Sequence, residues 1–158
     1  MNYYDQALEN LKKENYDLAA EYFFNHLYYN NSNKDYPPSD YLCNYNHIDT
    51  INFKEIMNNV KKYYINIIEH NQDKEIKASS YAKLGMISFF INNDFLEFFN
   101  LVYDLSDNYL LLNNIGLVLL KNGKTNESIR FLEKAIKISN NSIPEIGFNL
   151  HTAYSYNN

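Results

Sequence analysis

Apolar residues recur along this chain at spacings of three and four, and hardly anywhere do they alternate with polar ones. That is the period of an amphipathic helix and not of a strand. Only three prolines and four glycines interrupt it, so hairpin turns have little support. The first such stretch runs from about residue 2 to 13, with Tyr4, Ala7, Leu8 and Leu11 on one face. After a Glu14-Asn15 link, a second helix is expected over about 16–29, with Ala19, Ala20, Phe23, Phe24 and Leu27 inward.

The pattern breaks at 31–49. Asn31-Ser32-Asn33-Lys34-Asp35-Tyr36-Pro37-Pro38 predicts a loop, since Pro-Pro cannot continue a helix. A short helix is expected over 39–46 and a long one over about 51–70. In the long helix Asn52 and Glu55 are spaced as a capping box, and Phe53, Ile56, Met57, Val60, Tyr64, Ile67 and Ile68 form the apolar face. Two further helix pairs follow over 73–107 and 108–141. The chain then predicts a helix over 142–158, with Ser142 as N-cap, Pro144 in the first turn and Glu145 three residues after the cap.

Residues 108–141 carry the most specific signal. Tyr109, Leu112, Ile115-Gly116, Leu119, Ser128, Leu132 and Ala135 place small residues where two helices must touch and bulky ones around them, and Lys121-Asn122-Gly123-Lys124 forms the turn between. This unit resembles the tetratricopeptide repeat, a helix–turn–helix of about 34 residues with small and aromatic residues at fixed offsets. Residues 1–30 resemble it too, with Ala7 in the glycine slot and Ala19 in the first alanine slot. So do residues 73–107, through Tyr81, Leu84-Gly85 and Leu101. There Ser88 and Glu97 stand where tyrosine and alanine are expected, which predicts a looser helix contact. Gly85 and Gly116 are closer together than the family period, which predicts a shortened second helix in that unit. Residues 31–72 read as a loop and a degenerate pair containing the long helix, or as a single inserted helix that breaks the phase of the array.

The resemblance implies an all-α, right-handed α-solenoid of about four antiparallel helix pairs plus a terminal helix, residues 1–158 forming one domain. Such arrays are usually binding surfaces. The resemblance also implies that the residue two before each glycine slot faces the concave groove: Asp5, Lys83, Asn114 and Asn149. With Met86, Asn113, Leu117 and Lys121 around them, Lys83, Asn114 and Asn149 are the candidate partner-binding residues. An asparagine amide donates and accepts at once, so a row of them suits an extended peptide backbone. Acidic peptide side chains would suit Lys83 and Lys121. A carboxylate clamp of Lys, Asn and Arg known from some members is incomplete here, because the sole arginine, Arg130, falls on a second helix.

Composition narrows the function further. The formal net charge of −5 argues against nucleic acid, which needs concentrated Lys and Arg. The apolar runs Met86–Ile91 and Ile115–Leu120 are too short to span a bilayer, and no secretory leader is visible in the first residues. The lone Cys43 excludes an intramolecular disulfide framework and fits the cytoplasm. Cys43 and His47 are spaced as a ligand pair, yet a structural zinc site needs four such ligands, so no metal or cofactor is expected. No phosphate loop, nucleophile elbow or dinucleotide fingerprint is present, so no catalytic residue is assigned. Asparagine is the commonest residue, and the three Asn-x-Ser sequons at Asn30, Asn126 and Asn140 read as accidents of that abundance. The crowded aromatics of 89–103 predict a shared core, with an exposed partner patch as the alternative. The expected function is a non-catalytic scaffold for a protein or peptide partner. The alternatives are an accessory array of a larger enzyme, such as a glycosyltransferase, and a self-associating array joined through its terminal helix.

Overall fold

The computed structural model describes residues 2–29, 53–91 and 94–157. Eight α-helices account for most of them: α1 (Tyr3–Lys12), α2 (Tyr16–Tyr29), α3 (Phe53–His70), α4 (Lys74–Ile91), α5 (Leu96–Leu105), α6 (Tyr109–Lys121), α7 (Thr125–Ile138) and α8 (Pro144–Asn157). No strand occurs among the described residues. Chain-adjacent helices pack as pairs, α1 on α2, α3 on α4, α4 on α5, α6 on α7 and α7 on α8, as expected of a tetratricopeptide-like array. The loop over 31–38, the short helix over 39–46, the Cys43–His47 pair and the Asn52 cap lie outside the described residues.

The α6–α7 pair shows why small residues sit at the crossings. A Cβ on Gly116 would meet Leu132 Cγ at 2.8 Å and Cδ2 at 2.9 Å, closer than real Cβ contacts allow. The fully buried Ser128 adds a polar lock, its Oγ donating to the Gly116 carbonyl at 2.7 Å. Leu112, Leu119, Leu132 and Ala135 close the interface with no solvent exposure. Asn108 caps α6, its side chain accepting from the backbone N–H groups of Leu110 and Leu111.

The α4–α5 pair uses the same device in a different register. A Cβ on Gly85 would meet Phe99 Cε1 at 2.6 Å, so this crossing is as tight as the first and not looser as expected from Ser88 and Glu97. The reason is a missing first turn in α5. Phe99 lies in that helix's opening turn, whereas Leu132 sits a turn deeper in α7, and α5 has 10 residues against 14 in α7. Phe95 and Phe99 are thus buried where the repeat spacing puts Glu97 and Leu101, and Glu97 is exposed. The shortened second helix inferred from the glycine spacing is present.

The two inter-helix turns of α1–α2 and α6–α7 superpose in their hydrogen bonding. Asn15 N donates to Asn10 O and Lys124 N to Leu119 O, both at 2.9 Å, closing a Schellman-type end on each first helix. The left-handed residue is Gly123 at φ 69° in one turn and Glu14 at φ 59° in the other. At the end of α7, Asn140 and Asn141 adopt φ 50° and 56°, a conformation asparagine tolerates better than most residues. Ser142 is not the N-cap of α8 as expected. Its hydroxyl donates to the Ser139 carbonyl at 2.5 Å, finishing α7, and α8 starts one residue later than that cap requires, with Pro144 in its first position.

Helix α4 is the centre of the molecule. Ala78, Ser80, Ala82 and the unbroken run Leu84 to Ser88 are buried, because α2, α3 and α5 all pack on it. The hairpin of α1 and α2 is seated there by aromatic contacts. Phe90 stacks on Phe23 at 4.4 Å and 10°, and meets Tyr4 and His26 at 6.0 and 5.9 Å. The aromatics of 89–103 are therefore core: Phe95 and Phe99 are buried, and Phe89, Phe90, Phe98 and Tyr103 are partly buried against the core. Burial of His26 in this box pushes its imidazole below its ordinary value, partly opposed by Asp5.

Three outcomes are expected. Gly116→Leu should cost roughly 1–3 kcal/mol in urea denaturation, whereas Gly147→Leu, with nothing within 4 Å of its would-be Cβ, should be neutral or stabilising. Equal effects would refute the close crossing. Glu14→Gly should raise the melting temperature, relieving a left-handed residue worth roughly 1 kcal/mol, and Gly123→Ala should lower it. A lowered His26 pKa means the unfolded chain binds the proton first. Stability should then fall as pH drops below about 6.5, and His26→Phe should flatten that slope between about pH 7.5 and about pH 5.5; an unchanged slope would remove His26 as its source.

Candidate functional site

Helix α2 decides what becomes of the predicted groove. It runs in the same direction as α4, since Asp17 near its start meets Lys83 and Phe23 further along meets Phe90. It also touches α6. Two ties fix it. At its start, Asp17 Oδ1 accepts from Lys83 Nζ at 2.8 Å and from the buried Tyr64 hydroxyl of α3 at 3.0 Å. Burial and that carboxylate push the Tyr64 phenol far above its ordinary value, so it remains a donor. The Lys83–Asp17 pair is solvent-exposed and is worth under about 1 kcal/mol by itself. At the other end, Lys121 Nζ donates to the Leu27 carbonyl at 2.7 Å and lies 5.5 Å from the centroid of the Tyr28 ring. Leu27 belongs to the last turn of α2, so Lys121 terminates that helix from across the molecule. Burial lowers the Lys121 ammonium to about 8.

The seven predicted partner-binding residues divide between two adjoining hollows. Lys83 and Met86 line a crevice of about 340 Å³ under the first half of α2, with Asp17, Phe24, Leu111 and Asn114. Asn113, Asn114, Leu117, Lys121 and Asn149 line a larger groove of about 930 Å³ between α2, α6 and α8. Phe24 and Asn114 belong to both. Met86 is buried. Asn149 Nδ2 donates to Asn113 Oδ1 at 2.9 Å, joining α8 to α6 and leaving the remaining half of each amide for other partners. The Asn114 side chain, half-buried on the floor, makes no hydrogen bond among the described residues. Lys83 and Lys121 are both engaged by α2, which reduces what they offer to an acidic ligand.

The repeat spacing gives no sign of the groove's walls. Asn25, Tyr28 and Tyr29 come from α2, and Pro144, Glu145 and Phe148 from α8. The available signal is an aromatic on the wrong side of a helix: Phe148 is 71% exposed and Tyr29 62%, against the period that buries Ile146, Ala153 and Phe23. Asp5, the first residue in the predicted groove row, is exposed on α1 and lines neither hollow.

The other end of the array is held by charged side chains. Glu75, in the first turn of α4, accepts from Ser106 Oγ at 2.8 Å and from Asp107 N at 2.7 Å, holding the α5–α6 turn. Lys134 of α7 donates to the Tyr103 carbonyl in the last turn of α5, as Lys121 does for α2. No cluster of His, Cys, Asp and Glu suited to a metal occurs among the described residues, and none of their helices is long and apolar enough to cross a membrane.

Comparison with known proteins agrees with this geometry at the α6–α7 pair. The family model for the tetratricopeptide repeat matches residues 109–142. No curated protein and no solved structure matches the chain. The matched span begins at the first residue of α6, runs through α7 and contains the Gly116–Leu132 crossing. The pair α6–α7 is thus a tetratricopeptide repeat, and the described residues form a helical array carrying it.

Proposed function

We propose that this chain is a non-catalytic scaffold that binds an extended peptide segment of a protein partner in the groove between α2, α6 and α8. Tetratricopeptide repeats are in general protein-interaction units. The observation that carries the reading is the groove floor: Asn114, with Asn113, Asn149 and Leu117 around it, presents amide groups beside an apolar stem. Lys121 closes one end, and Lys83 and Met86 extend the floor beneath α2. The lone cysteine fits a cytoplasmic chain. Self-association through α8 is the second reading, favoured by exposed Tyr154 and Tyr156 on that helix.

Peptides selected from a displayed random library on the purified chain should perturb the NMR signals of Asn114, Leu117 and Asn149. The change Asn114→Ala with Asn149→Ala should weaken them by roughly 1–3 kcal/mol, at about 0.5–1.5 kcal/mol per hydrogen bond. Adding Lys83→Ala, which leaves Asp17 with Tyr64 alone and loosens the start of α2, should weaken them further. Binders that perturb only α5 and α7, or that ignore the triple change while the fold survives, would refute the groove. A chain that sediments as a dimer dissociated by Tyr154→Ala and Tyr156→Ala would favour the second reading.

A further inference from the structure

We infer that the ligand of this groove is a proline-rich peptide in the polyproline II conformation carrying a basic residue at one end. The inference rests on the peptide-binding reading and adds the chemistry of the peptide. Three observations carry it.

The first is the walls. Tyr28 and Tyr29 stand 49% and 62% exposed on one side, and Phe148 71% exposed on the other. Tyr28 and Tyr29 meet edge-to-face at 5.0 Å and 81°; Tyr28 also stacks with Phe24 and carries the Lys121 ammonium, and Tyr29 stacks with Tyr3, so the ligand would use the parts of both rings that remain exposed. Flat aromatic faces across a groove are the surface on which pyrrolidine rings pack, and a polyproline II segment arrives already ordered, so little entropy is lost on binding.

The second is the hydrogen-bond inventory. The side chains of Asn25 and Asn114 make no hydrogen bond among the described residues, and Asn113 keeps its amide NH2 free of the Asn149 pair. Each of these amides supplies NH2 donors beside an acceptor oxygen, and the donors are what a carbonyl-rich ligand would use. A proline-rich backbone lacks most N–H groups and offers mainly carbonyls, which the NH2 groups of Asn25, Asn113 and Asn114 can meet. A strand-like ligand would need an open backbone edge, and the groove is lined by helices.

The third is charge. The Lys121 ammonium is engaged by the Leu27 carbonyl and shielded by Tyr28. Glu145, the one carboxylate among the lining residues, has no ion pair among the described residues. The groove therefore favours a cation near the start of α8, on a chain whose formal net charge is already −5.

The test uses a short synthetic peptide with paired prolines and a terminal arginine, titrated into the full chain by NMR and calorimetry. It should perturb Asn114, Leu117 and Phe148. Replacing its prolines by alanine should weaken binding about tenfold or more, as should Tyr28→Ala with Phe148→Ala in the protein. Arginine to glutamate in the peptide should weaken binding by roughly two- to fivefold on the parent and leave it unchanged on Glu145→Gln. If proline-free library peptides perturb the same residues and the proline-rich peptide does not bind, this inference falls and the groove reading stands. If the proline-rich peptide binds while its prolines prove dispensable, or binds on α5 and α7, the inference also falls. If no peptide of either kind perturbs the groove, both fall.

Discussion

The architecture depends on small residues at the points where α4 receives its neighbours. A helix that must receive three neighbours cannot carry bulky residues all round without forcing their axes apart. Ala78, Ala82, Gly85 and Ser88 keep its surface low where α2, α3 and α5 approach, and Leu84, Ile87 and Phe90 supply the apolar contact between those points. The Gly85–Phe99 approach is the sharpest case, with no room for even a methyl group. Among the described residues α2, α3 and α5 pack on this helix directly, and α1 joins them through Tyr4 on Phe90.

The crossing at Gly116 repeats that solution with a different set of side chains. In one pair an aromatic ring fills the space over the glycine. In the other a leucine does, and Ser128 donates to the carbonyl exposed by the missing side chain. The repeat therefore constrains size at the crossing and leaves chemistry free. Beside the aromatic contacts, several polar ties between repeats sit at helix ends: Glu75 on the α5–α6 turn, Lys134 on the end of α5, Lys121 on the end of α2. Unbonded helix-end groups are the natural places for such ties, because each already lacks a partner.

Most of the fold was legible in the sequence because helical period and small-residue slots are local signals. The bounds of α2 follow from spacing, the tight crossing at Gly116 from the small-residue slots of the resembled repeat, and α3 ends at the predicted His70. The register of α5 was not legible, since it depends on a turn lost before Phe95 and on which of several phenylalanines then reaches Gly85. The Ser142 cap was misread because Ser139 competes for the same hydroxyl, a contest visible only once α7 ends in two left-handed asparagines. Of the candidate groove, the floor was legible and the walls were not. Asn114 and Leu117 were expected there from the repeat resemblance, through their offset to Gly116, and they line the groove. The covering of Lys83 and Met86 by α2 is a packing outcome between segments far apart in the chain, and periodicity carries no information about it.

The tie between Lys121 and Leu27 spans 94 positions of sequence. Synthesis delivers α2 long before α6, so the first hairpin emerges without the side chain that finishes it, and also without α4, on which Phe23 and His26 close. For that interval its aromatic face has no native cover, and the early chain must either wait exposed or be held by a chaperone. The α1–α2 pair is thus made before α4 and α6, and its native cover is complete only once both have arrived.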